Sequence, residues 1–320
     1  MKLTTIDDIE AAAVRVRNSV VRTPLLPSLW APAERPLWLK PEQLQPIGAF
    51  KLRGAANAIA RIPVADRPRG VVAYSSGNHA QAVAYVAKLF GVPATIVVTT
   101  NTPQVKVDAT RAHGAEVLIV PPADRESAAA QVVAERGGTL VPPFDHPDVI
   151  AGQGTIGLEI AEDLPDVELV LVPVSGAGLI SGVATAIKAR APKAQVIGVE
   201  PALAGDAAES FRAGRLVDWS TEDRARTIAD GLRSTPSELT FAHVRAFVDD
   251  IVTVSEDEIR DAMAVLALRS HLVAEPSGAV TTAAYLNADV PAGRTVAVVS
   301  GGNVDPALLV DVLSAARTPE

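Results

Sequence analysis

Residues 46–57 read Pro-Ile-Gly-Ala-Phe-Lys-Leu-Arg-Gly-Ala-Ala-Asn, and this lysine segment places Lys51 at the start of a predicted helix. Pro46 and Gly48 predict a break before the helix, and the alanines after Gly54 predict an apolar helical face. The neighbours of Lys51 are apolar: Ile47, Ala49, Phe50 and Leu52. Burial among them would disfavour the ammonium and lower the pKa of Lys51, as a Schiff-base lysine requires. Most lysines are exposed, so this segment alone leaves an ordinary structural lysine open.

The composition indicates a soluble globular protein. The chain has 320 residues, of which 48% are hydrophobic and 21% charged, and its formal net charge is -8. A negative net charge without a basic run argues against a nucleic-acid partner. The absence of cysteine excludes disulfides, thiolate metal sites and cysteine nucleophiles. The N-terminal segment is acidic rather than signal-like, and proline and glycine interrupt the apolar window at 169–187. We therefore expect a cytoplasmic location and no membrane span.

Strand-like and helix-like segments alternate along the chain after a first helix, for which Thr5 is the predicted N-cap. The predicted strands are 37–39, 71–74, 94–99, 116–120, 139–141, 169–174, 195–200, 251–254 and 295–299. The predicted helices include 80–90, 124–136, 154–163, 256–269, 277–286 and one that opens with Thr102 as cap and Pro103 as first residue. This alternation predicts an α/β fold in which helices cover mostly parallel sheets on both faces.

Tyr74-Ser75-Ser76-Gly77-Asn78-His79-Ala80-Gln81 joins a predicted strand to a predicted helix, and we call residues 75–79 the serine turn. Small polar residues at a helix N-terminus present free N–H groups to an anion, such as a substrate carboxylate. The same residue types are also frequent as plain helix caps. The serine turn by itself therefore leaves an anion site and a capped helix both open.

A second turn, Ser175-Gly176-Ala177-Gly178-Leu179, follows a predicted buried strand and opens a helix, and we call it the glycine turn. Consecutive backbone N–H groups at a helix N-terminus can bind a phosphate. Ala177 can replace a glycine there unless it must adopt a positive φ. The alternative is a dinucleotide-binding fingerprint, because Gly182 and then Glu200 follow. The spacing departs from G-x-G-x-x-G, and a nicotinamide-dependent dehydrogenase leaves the lysine segment unexplained.

A third turn, Ser300-Gly301-Gly302-Asn303, ends the last predicted strand, and we call it the Ser300 turn. On local grounds, a glycine-rich loop at a strand end and a functional site are equally compatible with it. Two acids, Glu200 and Asp206, lie on either side of a predicted loop, where acids are usually solvated. We assign no role to Glu275.

Together these segments closely resemble the motifs of the pyridoxal-phosphate-dependent serine and threonine dehydratases and serine racemases. Those are fold-type II enzymes related to the tryptophan synthase β chain, and the resemblance extends over residues 23–305. It implies two lobes, each a mostly parallel sheet flanked by helices, with residues 1–68 and 144–320 in the larger lobe and 69–143 in the smaller. It also implies the short form without a C-terminal effector-binding domain, assembled as a homodimer or homotetramer.

The resemblance also assigns site residues. It implies that Lys51 binds pyridoxal phosphate covalently beside Phe50, that Asn78 bonds the ring oxygen, and that Ser300 bonds the pyridine nitrogen. The phosphate is expected on Ser175, Gly176, Ala177, Gly178 and Leu179. The substrate carboxylate is expected on Ser75, Ser76, Gly77, Asn78 and His79, with Ser76 facing the ring opposite Lys51. A cation site of the racemase branch, for Mg²⁺, Mn²⁺ or Ca²⁺, matches Glu200, Ala204 and Asp206.

The implied reaction is β-elimination from a small β-hydroxy amino acid, such as L-threonine or L-serine, to a 2-oxo acid and ammonia. Lys51 takes the Cα proton, and a serine rather than a carboxylate at the pyridine nitrogen favours expulsion of the β-hydroxyl. If Ser76 returns a proton to the opposite face of Cα, serine racemisation competes. The alternatives are a hydroxyaspartate or phenylserine dehydratase, a nicotinamide-dependent dehydrogenase, and a protein of this fold that only binds.

Overall fold

The computed structural model describes residues 2–316, in which strands and helices alternate as the sequence predicts. Its strands are β1 Leu26–Pro27, β2 Leu37–Pro41, β3 Val71–Tyr74, β4 Ala94–Thr99, β5 Glu116–Val120, β6 Thr139–Leu140, β7 Leu169–Pro173, β8 Gln195–Pro201, β9 Asp250–Val254 and β10 Thr295–Val299. Its α-helices are α1 Ile6–Val16, α2 Lys51–Ala60, α3 Asn78–Phe90, α4 Gln104–Ala112, α5 Arg125–Arg136, α6 Pro147–Asp163, α7 Gly178–Arg190, α8 Asp206–Ala213, α9 Thr221–Arg224, α10 Glu238–Phe247, α11 Glu256–Arg269, α12 Pro276–Asn287 and α13 Pro306–Ala315.

The strands form two sheets, which confirms the predicted fold class. The six-stranded sheet has the order β1-β2-β10-β7-β8-β9, and the four-stranded sheet has the order β5-β4-β3-β6. The recorded pairings are parallel except that of β1 with β2. The strands of the smaller sheet lie within residues 71–140, and the lobe boundaries at 68/69 and 143/144 stay a prediction. Helix α2 shares a hydrophobic cluster with the smaller sheet.

Two predicted helix starts are wrong. Helix α6 begins at Pro147 rather than at 154, because its glycines are points of close approach and not breaks: a Cβ on Gly152 would lie 2.5 Å from the Arg53 carbonyl oxygen. Helix α4 begins after Pro103 and has no side-chain cap. The predicted cap, Thr102, donates its hydroxyl hydrogen bond to Ser76 Oγ at 2.8 Å instead.

The N-cap of α1 is confirmed, since Thr5 forms a capping box with Asp8. The sequence prediction omits β1 and the helices α8, α9, α10 and α13. Strand β1 is too short to show any periodicity, and it forms only because β2 offers it an antiparallel partner. None of the helices within residues 2–316 combines the length and the apolarity needed to cross a lipid bilayer.

The sheets bring the three turns to their carboxyl edges. The serine turn follows β3, the glycine turn follows β7, and the Ser300 turn follows β10. Strands β7 and β10 are parallel neighbours, so their turns leave the larger sheet on the same edge. Ligands of open α/β sheets bind at this edge. The topology therefore places the glycine turn and the Ser300 turn at one edge of the larger sheet. A hydrogen bond from Asn303 to Asn78 joins the serine turn of the smaller sheet to them.

A buried ion cluster holds α2 against α6 and β2. The Arg53 guanidinium contacts Glu42 Oε2 at 2.7 Å and Glu159 Oε1 at 2.6 Å. Lys40 Nζ contacts Glu159 Oε2 at 2.6 Å, which pairs two cations with two carboxylates. The Thr23 hydroxyl donates to Glu42 Oε1 at 2.7 Å. Because Arg53 is 0% exposed and follows Lys51 by two positions, this cluster fixes the start of α2.

Candidate active site

Lys51 is the first residue of α2 and is only half-exposed. Its Nζ donates a hydrogen bond to the Pro143 carbonyl oxygen at 2.7 Å and lies 5.0 Å from the centre of the Phe50 ring. Burial lowers the pKa of Lys51 from 10.5 to about 8, as expected from its apolar neighbours. The neutral amine is the form that attacks a carbonyl and accepts a proton. Lys51 is therefore much closer to its reactive form at neutral pH than an exposed lysine is.

Backbone contacts join the lysine segment to the Ser300 turn. The Phe50 N–H donates to the Ser300 carbonyl oxygen at 3.0 Å, and the Gly302 N–H donates to the Gly48 carbonyl oxygen at 2.9 Å. Gly48 has φ +72, and a Cβ there would lie 2.5 Å from Asn303 Oδ1. A glycine is thus required at position 48 both for its backbone conformation and for this approach. These contacts place Ser300 beside the residue that precedes Lys51.

Ser300 is 3% exposed and directly follows β10. Its hydroxyl donates a long hydrogen bond of 3.3 Å to the Ser277 carbonyl oxygen. A hydroxyl can donate to or accept from a ring nitrogen, but it cannot carry the negative charge that would keep a pyridinium protonated. Ser300 therefore provides a neutral hydrogen-bond partner at this edge of the site.

The residues of the serine turn have different surroundings. Ser76 accepts a hydrogen bond from the Thr102 hydroxyl, and Ser75 Oγ accepts one from the Gly77 N–H at 3.3 Å. A Cβ on Gly77 would have no heavy atom within 4 Å, so this part of the turn faces open space. His79 is buried, and its Nε2 lies 2.8 Å from the Val141 carbonyl oxygen. Burial and the nearby Lys51 charge lower the pKa of His79 to about 3, which keeps the ring neutral.

Asn78 belongs to a hydrogen-bond chain that includes Glu275, a residue to which the sequence assigns no role. Asn78 Nδ2 donates to Glu275 Oε1 at 2.7 Å, and Asn303 Nδ2 donates to Asn78 Oδ1 at 2.7 Å. Glu275 is 5% exposed, and burial, together with the Asp230 charge, raises its pKa to about 7. An acid followed by proline at the start of a helix is the only local signal for Glu275, and it is shared by many helix caps.

The glycine turn leads into α7 through Ala177, which has φ 60 and ψ 9. The sequence allows alanine at this position only if a positive φ is not required. The structure shows that a positive φ is required, so Ala177 adopts a conformation that favours glycine. No acceptor within residues 2–316 takes the N–H groups of Gly176, Ala177, Gly178 or Leu179. Four free amides at a helix N-terminus fit a phosphate group. Ser175 Oγ accepts from the Ser234 N–H at 3.0 Å, which fixes the start of the turn.

Phe144 packs against the glycine turn, a contact that the sequence does not predict. A Cβ on Gly178 would lie 2.7 Å from Phe144 Cβ, and a Cβ on Gly176 would overlap the Phe144 ring. Pro143, the residue before Phe144, accepts the hydrogen bond from Lys51. Residues 143 and 144 therefore connect Lys51 to the glycine turn. Through these contacts the structure brings together the lysine segment, the glycine turn, the Ser300 turn and Asn78.

The two acids of the predicted cation site are buried and not solvated. Glu200 is 0% and Asp206 1% exposed. Glu200 Oε2 accepts from the Ala208 N–H at 2.9 Å, whereas Glu200 Oε1 and both Asp206 carboxylate oxygens have no hydrogen-bond partner within residues 2–316. Burial and the Asp206 charge raise the pKa of Glu200 well above its usual value. Burial also raises the pKa of Asp206, and the Thr235 hydroxyl and the Arg224 charge partly offset this rise.

The third predicted ligand, Ala204, contributes a backbone carbonyl. Ala204 ends the short 3₁₀ turn Ala202–Ala204, and within residues 2–316 no backbone N–H bonds to its oxygen. The orphaned oxygens fit a hard cation, which prefers carboxylate and carbonyl ligands. Across the described chain, however, no three His, Cys, Asp or Glu side chains form a group that could hold a metal ion. Carbonyl and water oxygens would have to complete any coordination.

Comparison with known proteins agrees with this geometry. The family model of the pyridoxal-phosphate dependent enzymes matches residues 16–301. An L-threonine ammonia-lyase of Thermotoga maritima is 46% identical over 94% of this chain and 76% of its own length. An L-threo-3-hydroxyaspartate ammonia-lyase of Saccharomyces cerevisiae is 42% identical over 95% of each chain. The structure of maize serine racemase superposes with a TM-score of 0.93 at 38% identity, covering 98% of each chain.

The chain therefore belongs to the family of pyridoxal-phosphate-dependent enzymes. Its relatives are ammonia-lyases and serine racemases, as the motifs predict. The residues present fit the cofactor, since a half-buried lysine of lowered pKa, free amides at a helix N-terminus and a buried hydroxyl lie at one site. Membership of this family removes the reason for interpreting the glycine turn as a dinucleotide site.

Proposed function

We propose that this protein catalyses the β-elimination of a small β-hydroxy amino acid, L-threonine or L-serine first, to a 2-oxo acid and ammonia. The observation that carries the proposal is the half-buried Lys51, with a pKa of about 8, held beside the neutral Ser300 by the backbone contacts of Phe50. The name of the Thermotoga relative supports L-threonine as the substrate.

Each part of the site has a task in this reaction. Bound pyridoxal phosphate supplies an electron sink that stabilises negative charge at Cα. Lys51 holds the cofactor and, as a free amine, takes the Cα proton of the substrate. The amides of residues 176–179 bind the phosphate, and those of the serine turn bind the substrate carboxylate. Ser300 would hydrogen-bond to the ring nitrogen without protonating it, which would weaken the electron sink and favour formation of the Cα–Cβ double bond, with the β-hydroxyl taking up a proton and leaving as water.

The substrate proposal includes two alternatives. The yeast relative's name favours a hydroxyaspartate, and phenylserine is the larger alternative. A panel of L-threonine, L-serine, D-serine, 3-hydroxyaspartate and phenylserine, read by ammonia and 2-oxo acid release, separates them. Release from none of these would leave a protein of this fold that only binds, and would contradict the proposal.

Lys51→Ala tests the assignment of the lysine. We expect it to abolish both the visible absorption of a lysine-bound cofactor and the release of 2-oxo acid. Lys88→Ala is the matched control, because Lys88 is exposed in the last turn of α3. Retention of the visible band in Lys51→Ala, or its loss in Lys88→Ala, would contradict the assignment.

A second candidate activity is serine racemisation, which the maize structure favours. Racemisation needs a proton donor on the face of Cα opposite Lys51, and Ser76 is proposed for it. Its hydroxyl accepts a hydrogen bond from Thr102, which makes it a better proton donor than a free hydroxyl. Conversion of L-serine to D-serine, measured by chiral chromatography, tests this activity.

Glu200, Ala204 and Asp206 are proposed as a structural divalent-cation site for Mg²⁺, Mn²⁺ or Ca²⁺. The support is the set of buried carboxylate oxygens that accept no hydrogen bond within residues 2–316. EDTA should lower the melting temperature and Mn²⁺ should restore it, and Glu200→Ala should abolish this response. A melting temperature that is the same in EDTA and in Mn²⁺ would contradict the site.

A homodimer or homotetramer in the cytoplasm is also proposed, by resemblance. The exposed apolar side chains of α13, Val310 at 64% and Leu313 at 36% exposure, are compatible with a covered surface. Light scattering on the purified protein measures the assembly, and a monomer at micromolar concentration would contradict it.

A further inference from the structure

Arg224, the last residue of α9, lies close to the buried acids Glu200 and Asp206 of the proposed cation site. Its Nη1 lies 3.6 Å from Asp206 Oδ2, and its side chain is 11% exposed. The same nitrogen donates to Asp218 Oδ1 at 2.9 Å and to the Trp219 carbonyl oxygen at 2.6 Å. It also contacts the Thr235 hydroxyl. A guanidinium therefore lies within ion-pair distance of one predicted ligand of the cation site.

A guanidinium and a divalent cation cannot both neutralise Asp206 at close range. The two positive charges would repel each other in a buried region, where screening by water is weak. Arg224 can also leave Asp206 at moderate cost, because Asp218 and the Trp219 carbonyl still bind it. The Asp218 side chain is 82% exposed, so this second partner keeps the guanidinium at the solvent edge of the site.

We propose that Arg224 is the built-in counter-cation of Asp206 and competes with a divalent cation for the Glu200–Asp206 pair. The inference rests on the proposed cation site and adds a second state to it. With Arg224 within ion-pair distance of Asp206, as in the structure, the site needs no metal. With Arg224 moved away from Asp206 and held only by Asp218 and the Trp219 carbonyl, it accepts one. The apparent metal affinity is then reduced by the fraction of molecules in which Arg224 occupies the site.

The test is a Mn²⁺ titration of the metal-stripped, cofactor-loaded protein, followed by calorimetry and by electron paramagnetic resonance of free Mn²⁺. Arg224→Met should tighten Mn²⁺ binding by about tenfold or more, since a close charge pair in a partly buried site contributes at least that much. Arg226→Met is the matched control, because it removes the same charge from an exposed position in the same segment. It should leave the affinity within about twofold of the wild type, as expected for an exposed charge.

Three results would overturn the competition in distinguishable ways. Equal Mn²⁺ affinity in the wild type and in Arg224→Met means that the cation site exists but that Arg224 does not compete for it. No Mn²⁺ binding by either protein means that the cation site itself is absent. If Arg226→Met tightens Mn²⁺ binding as much as Arg224→Met does, then the effect comes from the net charge of the protein and not from competition at Asp206.

A second variant, Arg224→Lys, and a second measurement, thermal melting, test the proposal even if Arg224→Met does not fold. Lysine retains the charge but not the fork that reaches Asp206, Asp218 and the Trp219 carbonyl together, so its Mn²⁺ affinity should be intermediate. The rise in melting temperature on adding Mn²⁺ should be larger in Arg224→Lys than in the wild type, because at a given Mn²⁺ concentration the ligand that binds more tightly stabilises more. An equal rise in both proteins would contradict the proposal.

Discussion

Asn78 donates a hydrogen bond to Glu275 across the site, at 2.7 Å, although the two residues are 197 positions apart in the chain. Asn78 begins α3 beside the smaller sheet, and Glu275 is the N-cap residue of α12 beside the larger sheet. Asn303 of the Ser300 turn donates to the same Asn78 side chain. The serine turn is therefore positioned by the larger sheet, and any relative movement of the two sheets changes the site.

The raised pKa of Glu275 predicts a pH-dependent effect of Glu275→Gln. The folded protein binds a proton at this carboxyl up to about pH 7, whereas in the unfolded chain the carboxyl has its ordinary pKa of 4.5. Protonated Glu275 therefore contributes fully to the stability of the folded protein below pH 4.5. This contribution is lost as the pH rises through about 7. Glutamine keeps an acceptor for Asn78 without the charge. We expect Glu275→Gln to be more stable than wild type by about 1–3 kcal/mol above neutral pH.

Urea unfolding at an acidic and at an alkaline pH measures this difference. Near pH 4.5 the two proteins should have similar unfolding free energies, since the carboxyl is protonated in the folded state. A stability difference that does not change with pH would show that Glu275 is not protonated in the folded protein, contrary to the prediction.

Lys51 should control the pH dependence of cofactor uptake. Burial lowers its pKa from 10.5 to about 8, so the neutral amine becomes abundant as the pH rises through 8 rather than through 10.5. The rate at which the cofactor-free protein takes up pyridoxal phosphate, read by visible absorption, should rise with an inflection near pH 8. A rate that still rises steeply well above that pH would indicate an ordinary exposed lysine.

Ala177→Gly should stabilise the protein. Alanine at φ 60 is strained, and glycine removes about 1–2 kcal/mol of that strain. Part of this gain is offset because glycine raises the conformational entropy of the unfolded chain. A net gain of about 0.5–1 kcal/mol is expected, with cofactor affinity retained, because the backbone amides are unchanged. Ala184→Gly, inside the same helix, is the matched control and should be destabilising by at least about 1 kcal/mol. Thermal melting of both variants measures the contrast, and a loss in Ala177→Gly would contradict it.

Arg53→Met should be strongly destabilising. It leaves Glu42 and Glu159 buried without their guanidinium, which costs about 3–5 kcal/mol. Arg61→Met, at the C-cap of the same helix, is the matched control, because the side chains of the Arg61–Asp148 pair are 47% and 23% exposed. It should cost less than about 1 kcal/mol. Urea unfolding gives both values. Similar losses in the two variants would show that the buried cluster is not what fixes α2.

Ser76→Ala separates the two proposed activities. If Ser76 is the proton donor on the face opposite Lys51, the variant loses racemisation and turnover of D-serine but retains most of the elimination from the L-substrate. Ser75→Ala is the control within the same turn. If elimination from the L-substrate falls as far as racemisation in Ser76→Ala, then Ser76 only binds the substrate.

Much of the fold could be read from the chain, because strand and helix patterns and turn residues are local properties. The strand predictions agree with the structure to within two residues at each end, except for β1, which was not predicted. The glycines of α6 misled the prediction, because a glycine that allows close approach to Arg53 looks the same in sequence as one that breaks a helix.

The sequence by itself determined the lysine segment, the three turns and the family, since each turn is defined by the residues that its own backbone requires. Only the tertiary structure decided that Ala177 adopts a positive φ, that Phe144 covers the glycine turn, that Asn78 meets Glu275 and that Arg224 approaches Asp206. These are contacts between side chains that are distant in sequence, or conformations that such contacts impose. Their energies depend on burial and on the charge of the partner, and no local pattern of residues records either one.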